Sequence, residues 1–80
     1  MTDFLHQWVI YDSPSDFPGM FVVRQWVIGP EGAMPAVTGV TPYVDPYLEN
    51  ARRFIAAVAP GSFCIPRSPD DDPVIVETWT

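Results

Sequence analysis

The sequence predicts a small α+β domain, an antiparallel sheet of about three to five strands with one helix packed on one face. Three observations carry that reading. The segment Met20 to Ile28 is almost wholly β-branched and aromatic, broken only by Arg24 and Gln25. A single stretch, opening at Asp45-Pro46 and closing at Pro60-Gly61, spaces its apolar residues as a helix does. The ten prolines fall singly between apolar runs, as punctuation between short elements. The 80 residues make one domain, 1–80, near the lower limit for a self-sufficient core.

Leu5 to Tyr11 reads as the first strand, with His6, Trp8 and Ile10 on one face and Leu5, Val9 and Tyr11 on the other. A connection rich in turn formers comes next, Asp12 to Gly19, in which Asp12 and Asp16 can accept from nearby backbone N–H groups. Met20 to Ile28 is the second strand and Gly29-Pro30-Glu31-Gly32 a turn. Val37 to Tyr43 reads as a weaker third strand, interrupted by Gly39 and ended by Pro42. In the helix, Asp45 fits the N-cap and Pro46 the first helical position. Leu48, Ala51, Ile55 and Val58 form the apolar stripe, Glu49 is spaced to pair with Arg52 or Arg53 on the wet face, and Pro60-Gly61 ends the run. Ser62 to Ile65 is a short strand. Residues 73–79 fit either a strand, by their β-branched content, or a helix, by the Asp72-Pro73 start and the Ile75/Trp79 spacing; the composition tips the reading to strand. The core expected from this plan joins Leu48 and Ile55 to Val22 and Trp26.

Composition restricts function. Ten acids against four arginines leave a formal charge of −6, which disfavours direct binding to nucleic acid or to an anionic membrane and favours a basic protein or nucleoprotein partner. No apolar run approaches the roughly 20 residues of a membrane span, and the first six residues lack the basic region of a signal peptide, so the expected compartment is the cytoplasm. Cys64 is the one cysteine, which excludes an internal disulfide and a cysteine-based zinc site within one chain, and leaves a bridge between two copies open. His6 lies in a strand-like apolar stretch, and Cys64 sits between Phe63 and Ile65, where a thiol packs more often than it attacks. There is no glycine-rich phosphate loop, no lysine and no His/Cys ligand cluster. The expectation is a non-enzyme without metal or cofactor.

The remaining feature is acid. Asp70, Asp71 and Asp72 stand between Pro69 and Pro73, nearly a third of all the carboxylates. They read as a solubilising loop whose last member caps the segment after Pro73, or as a contact surface for a basic partner. An extended chain advances about 3.3 Å per residue and phosphates on one duplex strand about 3.4 Å, so three carboxylates are a fragment of a phosphate-like ladder. A fuller one needs Asp12, Asp16 and Glu77 alongside. Trp79 either docks back on the sheet or serves as an aromatic anchor. The expected partner-binding set is therefore Asp70, Asp71, Asp72, Glu77, Asp12, Asp16 and Trp79.

The segments Tyr11 to Pro18, Phe21 to Trp26 and Pro66 to Trp79 together resemble a signature of small uncharacterised bacterial and phage proteins, a family that implies no activity. In size and charge the chain also resembles phage anti-CRISPR proteins, several of which occupy the basic nucleic-acid channel of a CRISPR effector. That resemblance implies an inhibitor that blocks nucleic-acid binding and carries over no residue. The alternative reading is a small structural or regulatory protein that acts as a homo-oligomer through an exposed sheet edge.

Overall fold

The computed structural model describes residues 5–29, 32–35 and 43–80. The elements run β1 (Leu5–Asp12), β2 (Phe21–Gly29), β3 (Gly32–Pro35), β4 (Tyr43–Asp45), α1 (Leu48–Val58), β5 (Cys64–Pro66) and β6 (Ile75–Trp79). The sheet is antiparallel in the order β3-β2-β1-β6-β5. β4 shares the outer side of β2 with β3: β3 pairs with Trp26 to Gly29, and β4 with Phe21 to Val23. The fold is thus the small α+β domain expected, with five strand lanes and one helix among the described residues.

The strand reading of residues 73–79 holds, and it places β6 inside the sheet between β1 and β5 rather than at its edge. Its β-branched Ile75, Val76 and Thr78 suit such a position. The third strand expected over residues 37–43 lies outside the described residues except for Tyr43, which opens β4; likewise Pro30 and Glu31 of the expected turn. β3 itself had no strand signal of its own, since Gly, Ala and Pro are poor strand formers.

The helix begins two residues later than the Asp45-Pro46 pattern suggests. Tyr47 occupies the N-cap position without a side-chain bond. Asp45 instead ends β4, and its Oδ1 accepts from the Tyr47 N–H (2.8 Å) and the Asn50 Nδ2 (3.0 Å). Because it supports the strand-to-helix corner from outside, Asp45 still acts as a local acceptor for the helix start, in an Asx-type turn. At the other end Gly61 takes φ +84°, a conformation that favours glycine, and lets the chain double back from α1 into β5.

Side-chain alternation divides β1 and β2 into two faces. Ile10 of β1 and Val23 of β2 pair directly and face the helix, where they form a buried cluster with Ala51 and Ile55. Around it pack Trp8, Phe21, Tyr43, Leu48, Phe54, Ala59, Val76 and Trp79. Phe54 stacks on Tyr43 (4.6 Å between centroids, 6° between planes) and meets Trp8 edge-on (5.9 Å, 79°). Two expected core members are therefore on the wrong side. Val22 and Trp26 face away from α1, because residues adjacent to Val23 in a strand point to the opposite surface. Val22 and Val9 are nevertheless buried there. On that surface the Trp26 indole N–H donates to the Tyr11 hydroxyl (3.0 Å), the Arg24 guanidinium lies over the Tyr11 ring, and Asp16 pairs with Arg24. Aromatic side chains and the 13–20 connection screen this surface in place of a helix. Val58, the last member of the expected stripe, is exposed, and Phe54 and Ala59 take its place.

Candidate functional site

Two acidic regions differ sharply in their surroundings. The first lies at one end of the sheet. Asp12 closes β1 opposite Phe21, and Phe21 in turn pairs with Asp45, so the 13–20 connection and the β4–α1 corner share that end. The connection from β5 to β6, residues 67–74, arrives at the same place, because the Asp12 N–H donates to the Val74 carbonyl at 2.7 Å. The segments that carry Asp12, Asp16, Asp45, Asp70, Asp71 and Asp72 thus meet at one end, and Asp16 there pairs with Arg24.

Each loop is held by its own acids. Asp71 Oδ2 accepts the Ser68 N–H (2.9 Å), and the Asp71 N–H returns to the Ser68 carbonyl (3.0 Å). Asp72 Oδ1 accepts from the Val74 N–H (3.1 Å), and the Asp72 carbonyl from the Ile75 N–H (2.9 Å). So Asp72 does cap the segment after Pro73, which is a turn and then a strand. Ser13 sits at φ +50°, pinned by its N–H to the Met20 carbonyl (2.8 Å) and by its hydroxyl, which donates to Asp12 (3.0 Å) and accepts from the Gly19 N–H (3.2 Å). Residues 68–75 are consequently a pair of turns, not an extended ladder. The even 3.3 Å spacing of carboxylates expected for a straight segment is not present. Asp70 and Asp72 are exposed and Asp71 is half-buried.

The second region is Glu77, and it contradicts the expectation of a surface acid. Glu77 is 4% exposed, on the helix side of β6 opposite Ile10. The Arg52 guanidinium donates to its Oε1 through Nε (2.9 Å) and Nη2 (2.7 Å). Its Oε2 accepts from the Cys64 thiol (2.8 Å) and the Trp79 indole N–H (2.9 Å). Burial pushes the Glu77 carboxyl up, but Arg52 first, then the Cys64 and Trp79 donors, more than reverse this and hold it below its ordinary range. Burial, then the bond to Glu77 and its negative charge, push the Cys64 thiol up to about 11. Both carboxylate oxygens are filled by donors from three elements, so the cluster joins α1, β5 and β6.

Trp79 belongs to this cluster. It is half-buried, opposite Trp8, and its N–H is spent on Glu77, so it docks on the sheet rather than standing free as an anchor. Arg52, expected in water beside Glu49, turns instead toward the sheet. Nothing local in the sequence marks Glu77 for this role: Arg52 is 25 positions away and Cys64 is 13. A bulge also intervenes, with Ile10 opposite Glu77 and Tyr11 opposite Ile75. The extra residue, Val76, lets Val76 and Glu77 both serve the helix side, against strict alternation.

Of the expected set, then, Asp12, Asp16 and Asp70 to Asp72 share one end of the molecule, while Glu77 and Trp79 form a separate internal cluster. His6 is exposed and its Nδ1 meets the Gln25 side chain at 3.1 Å. No group of three or more His, Cys, Asp and Glu arranged for a metal ion occurs among the described residues, and no helix there is long and apolar enough to cross a membrane. No family model matches the chain, and no curated protein and no solved structure matches it.

Proposed function

We propose that this chain is a non-enzymatic interaction module that presents its acidic end to a basic protein or nucleoprotein complex. In its most specific form it is an anti-CRISPR-like inhibitor, which binds an effector complex in the cytoplasm and blocks the surface that would hold nucleic acid. The observation that supports this reading is the Asp12–Val74 backbone bond. It brings the loop that carries Asp12 and Asp16 and the loop that carries Asp70, Asp71 and Asp72 to one end of the molecule. Charge gathered this way steers a basic partner and speeds its association. The contact set is smaller than the sequence suggested, because Glu77 and Trp79 are engaged internally.

The test is capture of a partner from host lysate, followed by its affinity and nucleic-acid binding across a salt series. Changing Asp70, Asp71 and Asp72 together to Asn is expected to leave a folded protein, weaken capture and flatten the salt dependence. Unchanged affinity in that variant, or affinity indifferent to salt, overturns the reading.

A second reading, self-association through a sheet edge, is favoured by β5. Ile65 of this edge strand is exposed, and Phe63, just ahead of it, is 77% exposed. Sedimentation of the wild type against Phe63→Ser decides it: a wild-type dimer that the substitution dissolves supports the second reading, and a monomer at every concentration removes it.

A further inference from the structure

Among the described residues β5 ends the sheet, so one side of it has no strand beside it. The register fixes what that side offers. Phe63 and Thr80 exchange both backbone bonds (2.8 and 3.0 Å), and Cys64, Ile65 and Pro66 follow opposite Trp79, Thr78 and Glu77. Hydrogen-bonded and non-hydrogen-bonded pairs alternate along an antiparallel ladder. The backbone groups of Phe63 and Ile65 therefore turn to β6, and those of Cys64 and Pro66 turn outward. Pro66 has no N–H, and the Ser62 N–H is given to the Ala59 carbonyl (3.2 Å). From Ser62 to Pro66 the open side thus offers one donor, the Cys64 N–H, beside the Cys64 carbonyl. A long added strand finds no further donors there. A short strand that needs one donor and one acceptor at a single residue fits.

β5 itself meets that requirement. We propose that β5 pairs antiparallel with β5 of a second copy, across a two-fold axis at Cys64; the self-association reading, on which this rests, thereby gains a register. Each Cys64 N–H donates to the Cys64 carbonyl of the other copy. Phe63 of each copy stands opposite Ile65 of the other, at non-hydrogen-bonded positions, where side chains lie closest. Both point to the face opposite α1, because Cys64 between them reaches Glu77 on the helix side. Phe63 is 77% and Ile65 46% exposed in the single chain, so this apolar quartet is what pairing removes from water.

Charge favours this contact between two copies that each carry −6. Residues 54–66 hold no charged side chain, and Arg53 and Arg67 flank them. Past β5 each chain runs on to Asp70, Asp71 and Asp72, and antiparallel pairing sends the two acidic runs in opposite directions. The same pairing sets Arg67 of one copy across from Gly61 of the other, just past the carbonyl end of α1. That helix has no basic residue in its last turn, and a cation there is favourable. The contact is of the small class, under about 1,200 Å² in total, whose complexes are weak, so the dimer grows in with concentration.

Single cysteines read the register. In a Cys64→Ser background, where the hydroxyl can still donate to Glu77, one protein carries Phe63→Cys and another Ile65→Cys. Mixed, they bring the two cysteines face to face and keep one Phe63–Ile65 contact intact. The probe is air oxidation with a copper catalyst, read by intact mass without reductant. The mixed disulfide should exceed either homodimer by at least about tenfold, since like cysteines sit on the diagonal, about 7–8 Å apart. In sedimentation, Arg67→Glu should loosen the wild-type dimer about threefold or more. Cross-linking led by Phe63→Cys with itself or by Ile65→Cys with itself, or an affinity indifferent to Arg67→Glu, overturns this register and leaves self-association standing. A wild type that stays monomeric throughout the concentration series removes both. Should Cys64→Ser fail to fold, sedimentation of the wild type against Arg67→Glu still decides the proposal.

Discussion

Glu77 and the Asp70–Asp72 run are both acid, and they sit at opposite ends of the connection that leads into and along β6. At Glu77 the carboxylate is withdrawn from water, and Arg52, Cys64 and Trp79 replace the lost hydration bond for bond. At Asp70 to Asp72 water does most of that work, and Asp71 and Asp72 each spend one oxygen on a backbone N–H. A charge that leaves water must be paired to stay charged; a charge that remains in water is free for a partner. The acid that looked continuous with the surface run is therefore part of the interior architecture, and the run itself is what the fold leaves solvated.

That contrast is broken most severely at Arg52. Removing one member of a buried pair strands the other. Arg52→Ala should cost about 3 kcal/mol, the low end of the range for such pairs, because Cys64 and Trp79 still bond Glu77. Chemical denaturation measures it. Glu77→Leu should cost much less, since the released Arg52 side chain is already 48% exposed and can turn to water. A Glu77→Leu protein as unstable as Arg52→Ala would mean that the pair itself, not the stranded charge, carries the energy.

The second test uses pH. The Glu77 carboxyl titrates lower in the fold than in the unfolded chain. Its contribution is thus present above the unfolded value and is lost as pH falls through the folded one. Cys64 has the opposite sign: a folded value near 11 against 9.0 means its contribution is whole below 9 and is lost as pH rises toward 11. The wild type should therefore lose stability on both flanks, and Cys64→Ser should reduce the alkaline loss, leaving the share of Tyr43, whose hydroxyl burial and Asp45 also push up. Identical alkaline profiles for the two proteins would show that the thiol does not titrate against Glu77.

The smallest effect on stability is expected at the acidic end. The Asp70/Asp71/Asp72→Asn variant should melt within a few degrees of the parent, because exposed charges contribute little to folding and Asn keeps the side-chain acceptors at positions 71 and 72. A large loss there would erase the distinction between structural and solvated acid. In between, Ile55→Ala calibrates the scale: truncating a fully buried Ile typically costs about 2–5 kcal/mol, and a result below Arg52→Ala would place the weight of helix docking on the ion pair.

Legibility in the sequence tracked the range of the interactions. The strands of residues 5–12 and 21–29, the helix and its glycine stop at Gly61 rest on neighbours a few positions apart, and alternation, apolar spacing and turn chemistry announce them. The two faces of β1 were readable for the same reason. Which face of β2 the helix would cover was not, since both Val22 and Val23 are apolar and neither periodicity nor composition ranks them. The bulge at Val76 hides Glu77 further, because the alternation that makes strands readable assigns Val76 and Glu77 to opposite sides.

Composition and local pattern thus determined the fold class, the acidity and the position of each carboxylate along the chain. The tertiary structure decided which of them are buried and paired and which stay in water. Arg52, Cys64 and Glu77 meet only once α1 lies on the sheet and β5 joins β6, and Asp12 meets the 67–74 connection only once β1 pairs with β6. The free energy of an ionised group depends on what surrounds it in space, and for these groups the surroundings come from segments 13 to 62 positions away.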